Sequence, residues 1–161
     1  MESHAPTPPF TTCIKEEKML TTKIIITRLL VSTVLGLAIG TEREIHKHNA
    51  GVRTFSLICL GSSLAMIVSI HICQNNLNLL NGDPGRIAAQ VLTGIGFIGA
   101  GLIIKNRDGI SGLTTAASIF ITAVIGLCVG AGMIIVGSVI TIIVLFILAA
   151  PNIIRYFKEK R

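Results

Sequence analysis

Eighteen consecutive residues without a charge, Ile87 to Ile104, constrain this chain more than any other feature. About 20 predominantly apolar residues in a helix cross a hydrocarbon core of ~30 Å. The run opens on a helix start signal. Asp83 suits an N-cap, and Pro84 at the first helical position sacrifices no hydrogen bond. It closes at Lys105, Arg107 and Asp108, and a second apolar run begins after Ser111. The pattern predicts two membrane spans joined by a short charged turn. Composition agrees: 14% of the 161 residues are charged, against about 25% in soluble domains.

Three further apolar runs complete the pattern, at about 24–41, 54–72 and 133–150, with the run after Ser111 reaching about residue 130. The fold class is an all-α integral membrane protein, a bundle of about five transmembrane helices lying in the bilayer. Residues 1–23 read as a polar tail, 24–150 as the transmembrane domain and 151–161 as a basic cytoplasmic tail behind Pro151, a helix stop. The basic residues before Ile24 imitate a signal peptide, but Gly40-Thr41-Glu42-Arg43-Glu44 is a poor cleavage exit, so the first span is expected to be retained. Arg28, near its start, is expected to snorkel to the surface.

Glycines set the expected packing. Gly36 and Gly40 form G-x-x-x-G on a stripe with Ser32 and Arg43, a pattern for close helix approach. Thr115, Ser118, Thr122 and Gly126 share a face of the fourth span. In the third span, at about 100° per residue, Gly94 and Gly101 fall in one quarter with Arg86 and Gln90, while Gly96 and Gly99 fall roughly opposite. Glycines on two sides place this span at the centre of the bundle. Gly94, Gly96 and Gly99 also spell G-x-G-x-x-G, but a dinucleotide site needs a strand before the motif, and here it lies within an apolar run.

The net charge of +6 reads as loop bias rather than nucleic-acid binding. Five spans leave nine basic residues on one side and five on the other. The positive-inside rule then puts the N-terminus outside and the C-terminus in the cytoplasm. No carboxylate lies in the apolar runs, which weighs against a self-contained ion pump. The four cysteines show no metal spacing, and no metal, cofactor or enzymatic chemistry is expected. Ionisable groups gather at span ends: Glu42, Arg43, Glu44 and Arg53 on the cytoplasmic side, Asp83 and Arg86 on the other. A helix C-terminus suits Arg43 but not two carboxylates, so Glu42 and Glu44 call for an offsetting cation, from Arg53, Lys105 or a partner.

The motifs resemble the MgtC/SapB family of bacterial inner-membrane proteins. They are G-L-A-I-G-T-E-R-E (Gly36–Glu44), G-V-R-T (Gly51–Thr54), D-P-G-R-I-A-A-Q (Asp83–Gln90), G-I-G-F-I-G-A-G (Gly94–Gly101) and G-L-T-T-A-A-S (Gly112–Ser118). The resemblance implies support of growth or survival under magnesium limitation, an association with virulence, and action by contact with another membrane protein or by self-association. The membrane sector of the ATP synthase is one proposed target. The alternative is an ion transporter or channel component. Of the ionisable residues, Glu42, Arg43 and Glu44 carry over as functional. Two departures are visible: Ile119 and Phe120 stand where a tryptophan is common, and the chain ends at Arg161 without the regulatory domain of longer members.

Overall fold

The computed structural model describes residues 22–75, 83–107 and 109–159. The N-terminal tail up to residue 21, the asparagine-rich stretch 76–82, Asp108 and the last two residues lie outside them. Five helices run in order: α1 (Thr22–Ile45), α2 (Val52–Asn75), α3 (Gly85–Leu102), α4 (Leu113–Gly130) and α5 (Ile134–Glu159). The first four are long and apolar enough to cross a membrane, and α5 contributes an apolar stretch, Ile134–Ala150. This is the expected all-α membrane bundle.

The centre of the bundle is α4, not α3. Eleven of the 18 residues of α4 are buried, and it packs against all four other helices. In α3 only Ile95 and Gly99 are buried. A Cβ built on Gly94, Gly96 or Gly101 would meet nothing within 4 Å, and of the α3 glycines only Gly99 lies against another helix, with Ala116 of α4 at 3.6 Å. Glycine density therefore misidentified the central helix. Glycine permits close approach but attracts nothing, whereas α4 carries small residues next to Ile119, Ile125 and Val129, which fill the core.

Other glycines lie directly against neighbouring helices. A Cβ on Gly36 would press on the Phe55 carbonyl oxygen at 2.8 Å and Cys59 Cβ at 2.9 Å. One on Gly40 would meet Val52 Cα at 2.6 Å, so α1 and α2 touch through backbone. Gly126 and Gly130 of α4 lie equally close to Cys59, Ser62, Ser63 and Met66 of α2. Two hydroxyls on the buried face of α4 turn back on their own helix. Ser118 donates to the Thr114 carbonyl and Thr122 to that of Ser118, each at 2.7 Å, so their burial leaves no free O–H.

Element ends differ from the expectation in four places. The turn between the third and fourth spans is a hairpin, with β1 (Ile104–Asn106) antiparallel to β2 (Gly109–Ser111). Helix α3 opens at Gly85, one residue later than expected, with Asp83 Oδ1 accepting the Gly85 N–H at 2.8 Å. Pro151 does not stop α5, which continues to Glu159. The proline withholds an N–H from the Ile147 carbonyl without breaking the helix. Finally α1 runs to Ile45, so Glu42, Arg43 and Glu44 belong to a helix and not to a loop.

Candidate functional site

The site forms where α1 ends, α2 begins and α4 begins. Helix α1 closes with paired bonds, His48 N–H to the Arg43 carbonyl at 3.1 Å and Lys47 N–H to that of Glu44 at 3.0 Å. This is the Schellman pattern, which requires a left-handed residue. Lys47 supplies it with φ 55°. Helix α4 ends the same way, Met133 N–H to Cys128 and Gly132 N–H to Val129, with glycine in the left-handed place.

Arg43 lies in the last turn of α1 on the same stripe as Ser32, Gly36 and Gly40, so it points into the bundle and is 3% exposed. Its Nη2 donates to Thr115 Oγ1 in the first turn of α4 at 2.9 Å. Its Nε is buried without a hydrogen-bond partner. Beside it, Glu42 Oε2 is likewise buried and unpartnered, while Glu42 Oε1 sits 3.1 Å from His46 Nδ1, an ion pair when that ring is protonated. Gly112 starts α4 with φ 83°, and a side chain there would run into the Leu102 carbonyl. Glycine thus lets the hairpin turn sharply enough to bring Thr115 to Arg43.

Among the described residues no ion pair joins Glu42 or Glu44 to Arg53 or Lys105; the ion pair of Glu42 is with His46. Glu44 Oε2 accepts the Val52 N–H at 2.9 Å, so Glu44 caps α2 and its charge faces the positive end of that helix. Gly51 makes room for it, since a Cβ there would lie 2.7 Å from Glu44 Oε2. Arg53 is exposed and borders, with Glu44, His48 and Gly51, a hollow of about 380 Å³. His48 titrates below the ordinary histidine value of 6.5, first because burial penalises its charge and then because Arg43 repels it.

The six ionisable residues singled out in the sequence thus fall into two groups. Glu42, Arg43, Glu44 and Arg53 gather at one end of the bundle. Asp83 and Arg86 are exposed at the other end, where α3 begins and Ser69 of α2 donates to the Pro84 carbonyl. Arg28 also lies at that second end, buried rather than snorkelling, its Nη1 donating to the Gly130 carbonyl at 2.9 Å. A cation there neutralises the negative end of α4. Thr115, His46 and His48 were missed as site residues. The signal for Thr115 was that E-R-E and G-L-T-T stand at the same membrane side. Among the described residues no group of three His, Cys, Asp or Glu side chains could hold a metal ion.

These features define a multi-pass α-helical membrane protein whose two buried arginines tie α1 to opposite ends of a central helix. The model of the MgtC family matches residues 29–157, and the chain belongs to that family. Among curated relatives, it is 50% identical over 125 residues to the "putative magnesium transporter YhiD" of Escherichia coli K12, covering 74% of this chain and 58% of that protein. It is 41% identical to protein SapB of Bacillus subtilis, covering 67% and 48%, and 38% identical to protein MgtC of Brucella abortus, covering 76% and 48%. The chain thus spans about half the length of the curated relatives it matches. No solved structure matches it.

Proposed function

We propose that this protein is a non-enzymatic component of the bacterial inner membrane that supports growth under magnesium limitation by contact with another membrane protein. The ATP synthase membrane sector is a candidate for that partner. The observation that supports the reading is the Arg43 site. A guanidinium is held at a membrane end by one threonine hydroxyl, with a guanidinium N–H and a Glu42 oxygen both unused. Buried polar groups left unmade cost about 1–3 kcal/mol each, so such a site favours a partner that rearranges and completes it. The orientation proposed is N-terminus outside and C-terminus cytoplasmic, which puts the Arg43 site and the hairpin on the cytoplasmic side. A reporter active only in the cytoplasm, fused after Arg161, is expected to work; activity of an export-dependent reporter there instead refutes the orientation.

A second reading, a transporter or channel component, is favoured by the printed name of the E. coli relative. Two experiments separate them. Purified protein in liposomes is expected to give no magnesium flux above empty vesicles, and crosslinking in magnesium-starved cells is expected to capture a membrane protein through the Arg43 end. Magnesium flux abolished by Arg43→Gln would establish the transporter reading.

A further inference from the structure

Helix α3 is the least apolar of the four candidate spans and also the least buried. That combination is unfavourable for a helix left against lipid. Its outward face has a definite composition. Arg86, Gln90, Thr93, Gly94, Phe97 and Gly101 fall within about 100° of one another, roughly opposite the buried Ile95 and Gly99. All six are exposed, Phe97 to 83%. Asp83 stands one turn before Arg86 at the membrane surface and is exposed as well.

We propose that this face of α3 is the interface of a homodimer, two copies packing α3 against α3 about a two-fold axis along the membrane normal. The occupant follows from the face itself. A two-fold interface pairs residue i with j and j with i, so the patch must be complementary to itself. Each element here has its complement on the same stripe. Phe97 is a projecting knob, and Gly94 and Gly101, three residues before and four after it, make a hollow in which a Cβ would touch nothing. The ring of one copy fills the hollow of the other, and the reverse. The Gln90 amide is both donor and acceptor, so two copies facing across the axis satisfy each other in a medium without water. Asp83 and Arg86, of opposite charge, reach Arg86 and Asp83 of the second copy at the headgroup level. A partner of another sequence would have to supply all three complements in the same order. The hollow widens toward α2 into a groove of about 340 Å³ beside Gly61, where a Cβ would likewise meet nothing within 4 Å.

The test places a photoreactive phenylalanine analogue at position 97 of the full chain in intact membranes. The control position is Phe146, which is 70% exposed on α5. Irradiation is expected to give a species of twice the protomer mass from position 97 and not from 146, containing two differently tagged copies when both are co-expressed. Gly94→Leu is expected to lower the yield about tenfold by filling the hollow, and Gln90→Leu about threefold. Melting of both variants in detergent should stay near that of the parent, because a Cβ at position 94 meets nothing within 4 Å and Gln90 is exposed. Adducts at position 97 only with lipid or with a different protein overturn the proposal. So does equal self-crosslinking from 97 and 146, or a dimer yield indifferent to Gly94→Leu.

Discussion

Gly126→Ala isolates the claim that α4 is the central helix. The added methyl would lie 2.9 Å from Ser62 Cβ and 3.1 Å from the Cys59 carbonyl carbon, and closer still to the Cys59 oxygen. Two of these atoms are backbone, so they cannot swing aside, and α2 must move. Overpacking of this kind costs about 1–3 kcal/mol. Alanine gains back up to about 1 kcal/mol of helix propensity, leaving a net loss of up to about 2 kcal/mol. Gly96→Ala is the matched control. Its methyl meets nothing within 4 Å and it lies off the stripe proposed to pair two copies, so it gains up to about 1 kcal/mol. Because the propensity gain is common to both, the two variants should differ by the overpacking cost, about 1–3 kcal/mol, or about 5- to 140-fold in the folding equilibrium. Equilibrium unfolding in mixed detergent micelles, followed by helical circular dichroism, reads this difference directly. Equal destabilisation by the two changes would refute the placement of α4 at the centre and restore α3 to it.

Three other outcomes follow from single contacts. Glu44→Ala removes the cap on the Val52 N–H and should cost about 1 kcal/mol in the same unfolding experiment, whereas Glu44→Gln, which keeps an acceptor oxygen, should cost less. Lys47→Gly relieves a left-handed backbone and should raise stability by up to about 1 kcal/mol, while Gly132→Lys, at the equivalent place in α4, should lower it by a similar amount. His48, whose proton is held less tightly folded than unfolded, should make the protein less stable as pH falls through and below 6.5, and His48→Gln should remove that acid-side loss. Melting curves between about pH 7 and pH 5 measure it, with an NMR titration of the ring as the direct check.

Most of the architecture was legible because a bilayer leaves few options. Apolar runs longer than about 18 residues must be helices, and the polar breaks between them locate the ends to within a few residues. Packing was legible only where two observations coincided. Gly36 and Gly40 share a stripe with Ser32 and Arg43, and that stripe is buried. The glycines of α3 offered density alone and were misassigned, since sequence does not distinguish a face packed within the chain from one left open. The Arg43 end was half visible. Its acids and bases could be named, but the Glu44 contact with α2 depends on a turn built by Lys47, a residue sequence gives no reason to place at positive φ. Thr115 was hidden for a related reason: its hydroxyl reads as one more small polar group until the glycine turn at Gly112 brings it to Arg43.

The claim that the Arg43 end is functional, and not merely a structural knot, rests most directly on Glu42→Gln. The amide keeps the shape of the side chain and an oxygen for His46, and it removes a charge whose Oε2 is buried without a partner. Folding should therefore be unchanged or slightly improved. The measurement is growth of a deletion strain in low magnesium, complemented by the variant, with protein level and melting recorded on the same samples. The account predicts normal protein, normal melting and impaired growth. Full growth at normal protein level would contradict it, and so would a growth defect that merely tracks loss of the protein.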